Sequence, residues 1–414
     1  MKIRNSIAAL TALALLLACL CAATGCAVQG SARDLTKDVA QSPCTKKEPD
    51  DVFINGTADF SFRLFQRTYH DGQNTLISPL SVLLALAMTA NGTKGETLEQ
   101  MEKTLCDGYT IAELNACLHT YLQTLPSDQG ARLSVANSLW LREGAVTAND
   151  RFLQTCKSYY GAPVFSSDFG KETPQQINRW VRKNTDGMID KLIDEISPDT
   201  VMYLINTVLF DAEWKTVYQK SDIRDATFTT AGGEKKTVSM MYSDESRYLK
   251  DENAKGFLKP YKNGYSLVTL LPDADISLSD YIAGLSGERF LGLLGNAQDV
   301  CVSSALPKFD YAYGAELSAV LRDMGMTLPF EGSADFSAIG DAQFPLRINQ
   351  VIHKTRISVD AKGTKAGAAT AVSVDKSAAM TDYTVRLDRP FLYAIIDNNT
   401  NLPLFIGAVT DIGQ

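Results

Sequence analysis

Residues 363–374 restrict this chain most: Gly, Thr, Lys, Ala, Gly, Ala, Ala, Thr, Ala, Val, Ser, Val. The stretch has no aromatic residue and no helical spacing of apolar residues, so by itself it reads as an exposed loop or a flexible linker. Every second residue gives Thr364, Ala366, Ala368, Thr370, Val372 and Val374 on one parity, and Lys365, Gly367, Ala369, Ala371, Ser373 and Asp375 on the other. One parity suits a core and the other carries the charges, which is the pattern of a strand. Side chains this small can slide between strands already in place. The segment is therefore written for two states, exposed and inserted. Alternating or continuous apolar runs flank it at 351–357, 389–396 and 404–409, and a long loop between core strands inside one domain is usually functional.

The 414 residues are 45% hydrophobic, enough for a substantial core, and the formal charge of −8 offers no basic footprint for nucleic acid. Only His70, His119 and His353 are available for acid–base work, and neither Gly-x-Ser-x-Gly nor His-Glu-x-x-His occurs. No enzyme is expected. The repeated β/α alternation of a solute-binding protein is also missing. Eight cysteines lack any Cys-x-x-Cys or zinc spacing, so no metal and no cofactor are expected, while one disulfide remains open.

Lys2 and Arg4 precede an apolar run over 7–20 and small residues leading to Cys26. This resembles a bacterial lipoprotein signal, with Ala23 where an aliphatic residue is usual; Cys19 is a weaker second candidate. The expectation is a signal over 1–25, lipid on Cys26, a flexible tether over 26–51 and one domain over 52–414. Such a protein would be exported and held by lipid alone on the outer face of a bacterial membrane or cell surface. An ordinary cleaved signal peptide is the alternative. Helical patterns at 58–69, 78–90, 93–105, 111–125, 150–160 and 174–185 precede strands at 200–210, 237–241, 266–271 and 300–306, with an earlier strand at 133–141. That order indicates an α+β domain.

Several motifs in order resemble the serpin family from residue 52 to the C-terminus. They include Asn74-Thr75-Leu76-Ile77-Ser78-Pro79-Leu80-Ser81, Leu133-Ser134-Val135-Ala136-Asn137, Asn206-Thr207-Val208-Leu209-Phe210 with Trp214, Leu306-Pro307-Lys308-Phe309, Ala334-Asp335-Phe336-Ser337 and Arg389-Pro390-Phe391. The resemblance implies three β-sheets, eight or nine helices and an exposed reactive-centre loop over about 361–388. It also implies a monomer that inhibits extracellular serine proteases, with cysteine proteases as a further target class, by inserting its cut loop into the main sheet. A non-inhibitory serpin acting as a surface binding module is the alternative. Ala361, Gly363, Thr364, Ala366, Ala368 and Thr370 form the expected hinge, with Thr364 facing solvent until insertion. Ala361 and Lys365 stand where the family usually has acidic residues. Ser78, Ser81, Asn206 and His353 are assigned to sheet opening, with Trp214 near the point where the loop first enters.

The family's usual spacing from Ala361 places the cut at Ser377-Ala378, whereas counting back from Pro390 favours Ala379-Met380. Lys376-Ser377 and Met380-Thr381 follow as alternatives. Small residues at the cut suit an elastase-like or subtilisin-like pocket, and Lys376 suits a trypsin-like one.

Overall fold

The structure is a computed structural model that describes residues 32–126, 131–364 and 382–412. Among them are nine α-helices: α1 (Asp51–Thr68), α2 (Pro79–Ala90), α3 (Gly95–Cys106), α4 (Ile111–Thr124), α5 (Asp150–Tyr160), α6 (Thr173–Asn184), α7 (Leu278–Ala283), α8 (Gly287–Gly295) and α9 (Ser318–Asp323). The strands of the first half are β1 (Arg33–Asp34), β2 (Thr75–Ile77), β3 (Ala131–Arg142), β4 (Val146–Ala148), β5 (Val164–Ser167), β6 (Met202–Glu213), β7 (Ile223–Thr229), β8 (Lys235–Lys250) and β9 (Ala254–Pro260). The rest are β10 (Tyr265–Pro272), β11 (Gln298–Pro307), β12 (Phe309–Glu316), β13 (Gly340–Ala342), β14 (Gln350–Val359), β15 (Gly363–Thr364), β16 (Tyr383–Arg386), β17 (Phe391–Asp397) and β18 (Pro403–Val409).

Three sheets result. The first runs β1-β5-β3-β6-β15-β14-β12, the second is nine-stranded and built around β8-β9-β10-β17-β18, and the third pairs β13 with β4. In β6, Met202 through Phe210 are all buried, so this strand is covered on both faces. Helix α2 covers one of them. Its sequence is apolar all round and all twelve residues are buried, as expected for a helix inside a core. Helix α6 serves the other face, where Ile177 and Val181 join Trp140, Tyr203 and Ile205 in a second apolar cluster.

The chain ahead of α1 departs from the expected tether. Residues 32–50 lie against the body: Arg33 and Asp34 pair with Ser166 and Phe165, and the Lys157 ammonium donates to the carbonyls of Thr36, Lys37 and Val39 at 2.7–3.1 Å. Thr45 N–H and Ser42 N–H add bonds to Tyr159 and Ser158 of α5. Polar composition suggested a free linker, but an open sheet edge and one well-placed lysine give this backbone its partners. The five described cysteines, Cys44, Cys106, Cys117, Cys156 and Cys301, are all free thiols.

Candidate functional site

Strands β6 and β14 run parallel and pair directly over only part of their length. Gln350 to Lys354 face Tyr203 to Thr207. Further along they separate. Val359 pairs with Thr364 and Thr364 with Ala212, so the two residues of β15 stand between them, antiparallel to both. Residues 208–211 and 355–358 line the interval between these two zones. The sheet thus has a slot one strand wide, closed at one pole and plugged at its mouth.

The closed end lies over a polar cluster. Asn206 reaches from β6 toward α2, where its Oδ1 accepts from the Ser81 hydroxyl and its Nδ2 donates to the Ser81 carbonyl at 2.6 Å. Nδ2 also donates to Asn137 Oδ1 at 2.5 Å. From β14, His353 places Nδ1 at 3.0 Å from Asn206 Oδ1, and its Nε2 accepts the Ser78 N–H at 3.1 Å. That N–H requires an unprotonated Nε2, so Nδ1 carries the proton and donates it to Asn206. Burial pushes His353 down to about 4, consistent with a neutral ring. The Ser78 hydroxyl does not cap α2; it donates to Leu404 O at 2.8 Å. Ser78, Ser81, Asn206 and His353 therefore come together as the sequence suggested. Asn137 was missed: it sits within a quoted motif, but only the pairing of Asn137 with Asn206 shows its partner.

The mouth is held by aromatic residues. Trp214 N–H donates to Lys362 O and Tyr218 N–H to Ala361 O, at 2.8 and 2.9 Å, while the Trp214 indole donates to Asp360 O at 2.8 Å. Asp360 closes the turn by accepting from Lys362 N–H and Gly363 N–H. Gly363 approaches β6 so closely that a Cβ would lie 2.0 Å from Ala212 O, which admits only glycine. Tyr261 stacks on Trp214 with ring centroids 4.3 Å apart and shares a 2.6 Å hydrogen bond with Thr364. Thr364 is only 2% exposed. This corrects the expectation that it faces solvent: β15 is already seated, because β6 and β14 both offer it backbone partners. Ala361 lacks the family's usual acid, and it is its carbonyl that holds Tyr218.

Lys259 and Glu245 went unnoticed in the sequence. Both are buried and 2.8 Å apart, and the ammonium lies over the rings of Tyr218 and Trp214 at 4.1 and 5.4 Å. Burial opposes the charge on Lys259, but Tyr218 and Glu245 outweigh it and leave the ammonium above the usual lysine range. Ala366, Ala368, Thr370, Lys376, Ser377, Ala378, Met380, Thr381 and Cys26 lie outside the described residues.

A profile of the family described as Serpin (serine protease inhibitor) matches residues 55–412. This chain belongs to the serpin family. The serpin is 29% identical to the alpha-1-antiproteinase of Rattus norvegicus, over 96% of this chain and 97% of the relative. It is 31% identical to a serpin-like protein of Methanosarcina acetivorans, with 84% of each chain covered. Among solved structures, the thermophilic serpin tengpin in its native state aligns with a TM-score of 0.89 and 46% identity, over 92% of this chain and all of that one. The latent state of tengpin aligns with a TM-score of 0.81 over 89% of this serpin.

Proposed function

We propose that this serpin is a suicide inhibitor of extracellular serine proteases that captures the acyl-enzyme by drawing its cut loop into the slot between β6 and β14. The protease serine Oγ attacks the carbonyl of the scissile peptide, proposed as Ser377-Ala378. The nitrogen of Ala378 leaves with a proton and with the chain that follows it, and an ester joins the protease serine to Ser377. Insertion then moves the ester, and the enzyme with it, before water completes the hydrolysis.

The observation that carries this reading is the register already set by β15. Continued past Thr364, the pairing with Ala212 and Val359 brings Ala366 beside Phe210, Ala368 beside Val208, and Thr370 between Asn206 and His353. Val372 and Val374 would follow beside Leu204 and Met202. Each inward position is small or β-branched and would meet a buried neighbour, and the Thr370 hydroxyl would meet the polar cluster. About twenty new backbone bonds at about 0.5–1.5 kcal/mol each rival the stability of a folded protease, about 5–15 kcal/mol.

The test is incubation with a panel of elastase-like, subtilisin-like and trypsin-like proteases, followed by denaturing electrophoresis and mass spectrometry of the released C-terminal fragment. A covalent complex with a fragment starting at Ala378 is expected. Cleavage with no complex for any protease would favour the non-inhibitory surface module.

A further inference from the structure

We propose that the buried Lys259–Glu245 pair is a positioning element for loop insertion: it fixes Trp214 and Tyr218 so that their amides hold the turn on which the loop pivots. The pair rests on strands outside the main sheet, Lys259 on β9 and Glu245 on β8. Ser243 anchors it by donating to Glu245 at 2.6 Å and by bonding Ser304 of β11 at 3.0 Å. The ammonium in turn lies over both aromatic rings. The backbone N–H groups of those same two residues hold Lys362 O and Ala361 O, and the indole N–H holds Asp360 O. One buried cation is thus linked, through two rings, to three consecutive carbonyls of the pivot.

Stability alone does not account for the arrangement. A buried ion pair is often no more stabilising than apolar side chains of the same size. What a cation adds is direction, since it favours the ring faces over other orientations. A pivot held in one orientation starts the inserting strand in one register, with Thr364 beside Ala212. A loose pivot delays insertion and gives water time to release the protease. This last consequence rests on the inhibitory reading; the hold on the pivot does not.

The experiment compares the full chain with Lys259→Met, Glu245→Gln and the double variant Lys259→Met/Glu245→Met, the last leaving no buried charge unpaired. Amide exchange without protease is read first. In the Lys259→Met and double variants, the Trp214 and Tyr218 amides should exchange about tenfold faster while β17 and β18 keep their protection. With a protease that forms the complex, inhibitor consumed per enzyme should rise at least about twofold, with the rate of first attack on the loop unchanged. Wild-type exchange at Trp214 and Tyr218 in the double variant would overturn the proposal, as would uniform acceleration across the core. Faster exchange confined to the pivot, in a chain that traps no protease, would support the hold and overturn the inhibitory reading alone.

Discussion

His353 shows how a single buried ring couples this protein to pH. Its folded-state value of about 4 lies below the ordinary 6.5, so between those limits the unfolded chain binds more protons than the folded one. The stabilising contribution is complete above pH 6.5 and lost as pH falls toward 4, about 3 kcal/mol in all. Denaturant midpoints of the wild type should drop over that window. The His353→Gln variant, with a lower plateau, should lack this component of the drop. Thr364 offers a second test, because it is paired before any protease arrives. Thr364→Val keeps the volume but strips the Tyr261 hydroxyl of its partner, a cost of about 1–3 kcal/mol. Thr364→Arg should expel β15 from the resting sheet, lowering the melting temperature as well as abolishing capture. An unchanged melting temperature for Thr364→Arg would place the hinge outside the sheet at rest.

At the scale of elements, what the sequence showed depended on whether the signal was local. Helix α5 matches its predicted bounds, since Asn149 caps it and Gly161 ends it in the left-handed conformation. Helix α2 was equally plain, because proline opens an apolar run. The seating of β15 was not legible: it depends on Ala212 and Val359, distant in sequence and visible only once the sheet exists. Strand β9 escaped because Ala254 to Pro260 contain two lysines, a glycine and a proline, poor strand residues whose burial is decided by tertiary contacts. Lys259 was lost with the strand, and Glu245 lies on β8 beyond the 237–241 stretch that the sequence indicated. The strap over 32–50 escaped for a related reason, since its bonds are made by backbone, which composition does not report. Replacing Lys157 with Met removes three of those bonds. Limited proteolysis should then cut within residues 32–50 several times faster than in the wild type, and equal rates would mean that the edge pairing holds the strap unaided.

For the whole molecule, the strap sets a polarity. Ser167 lies beside Arg142, and Leu141 beside Met202, so the strap meets the sheet at its closed pole, opposite the hinge. Under lipid attachment at Cys26, the leash from lipid to Ala32 is only six residues, at most about 20 Å. The closed pole would then sit near the bilayer and the intact loop would reach outward. Insertion from Ala212 to Met202 would displace the ester by at least about 30 Å along the strands, inward rather than outward. A captured protease would be hauled down to the lipid surface, away from soluble substrates and toward the cell it had threatened. Energy transfer from a labelled protease to acceptor lipids in vesicles should therefore rise on capture, and should be absent for Cys26→Ser.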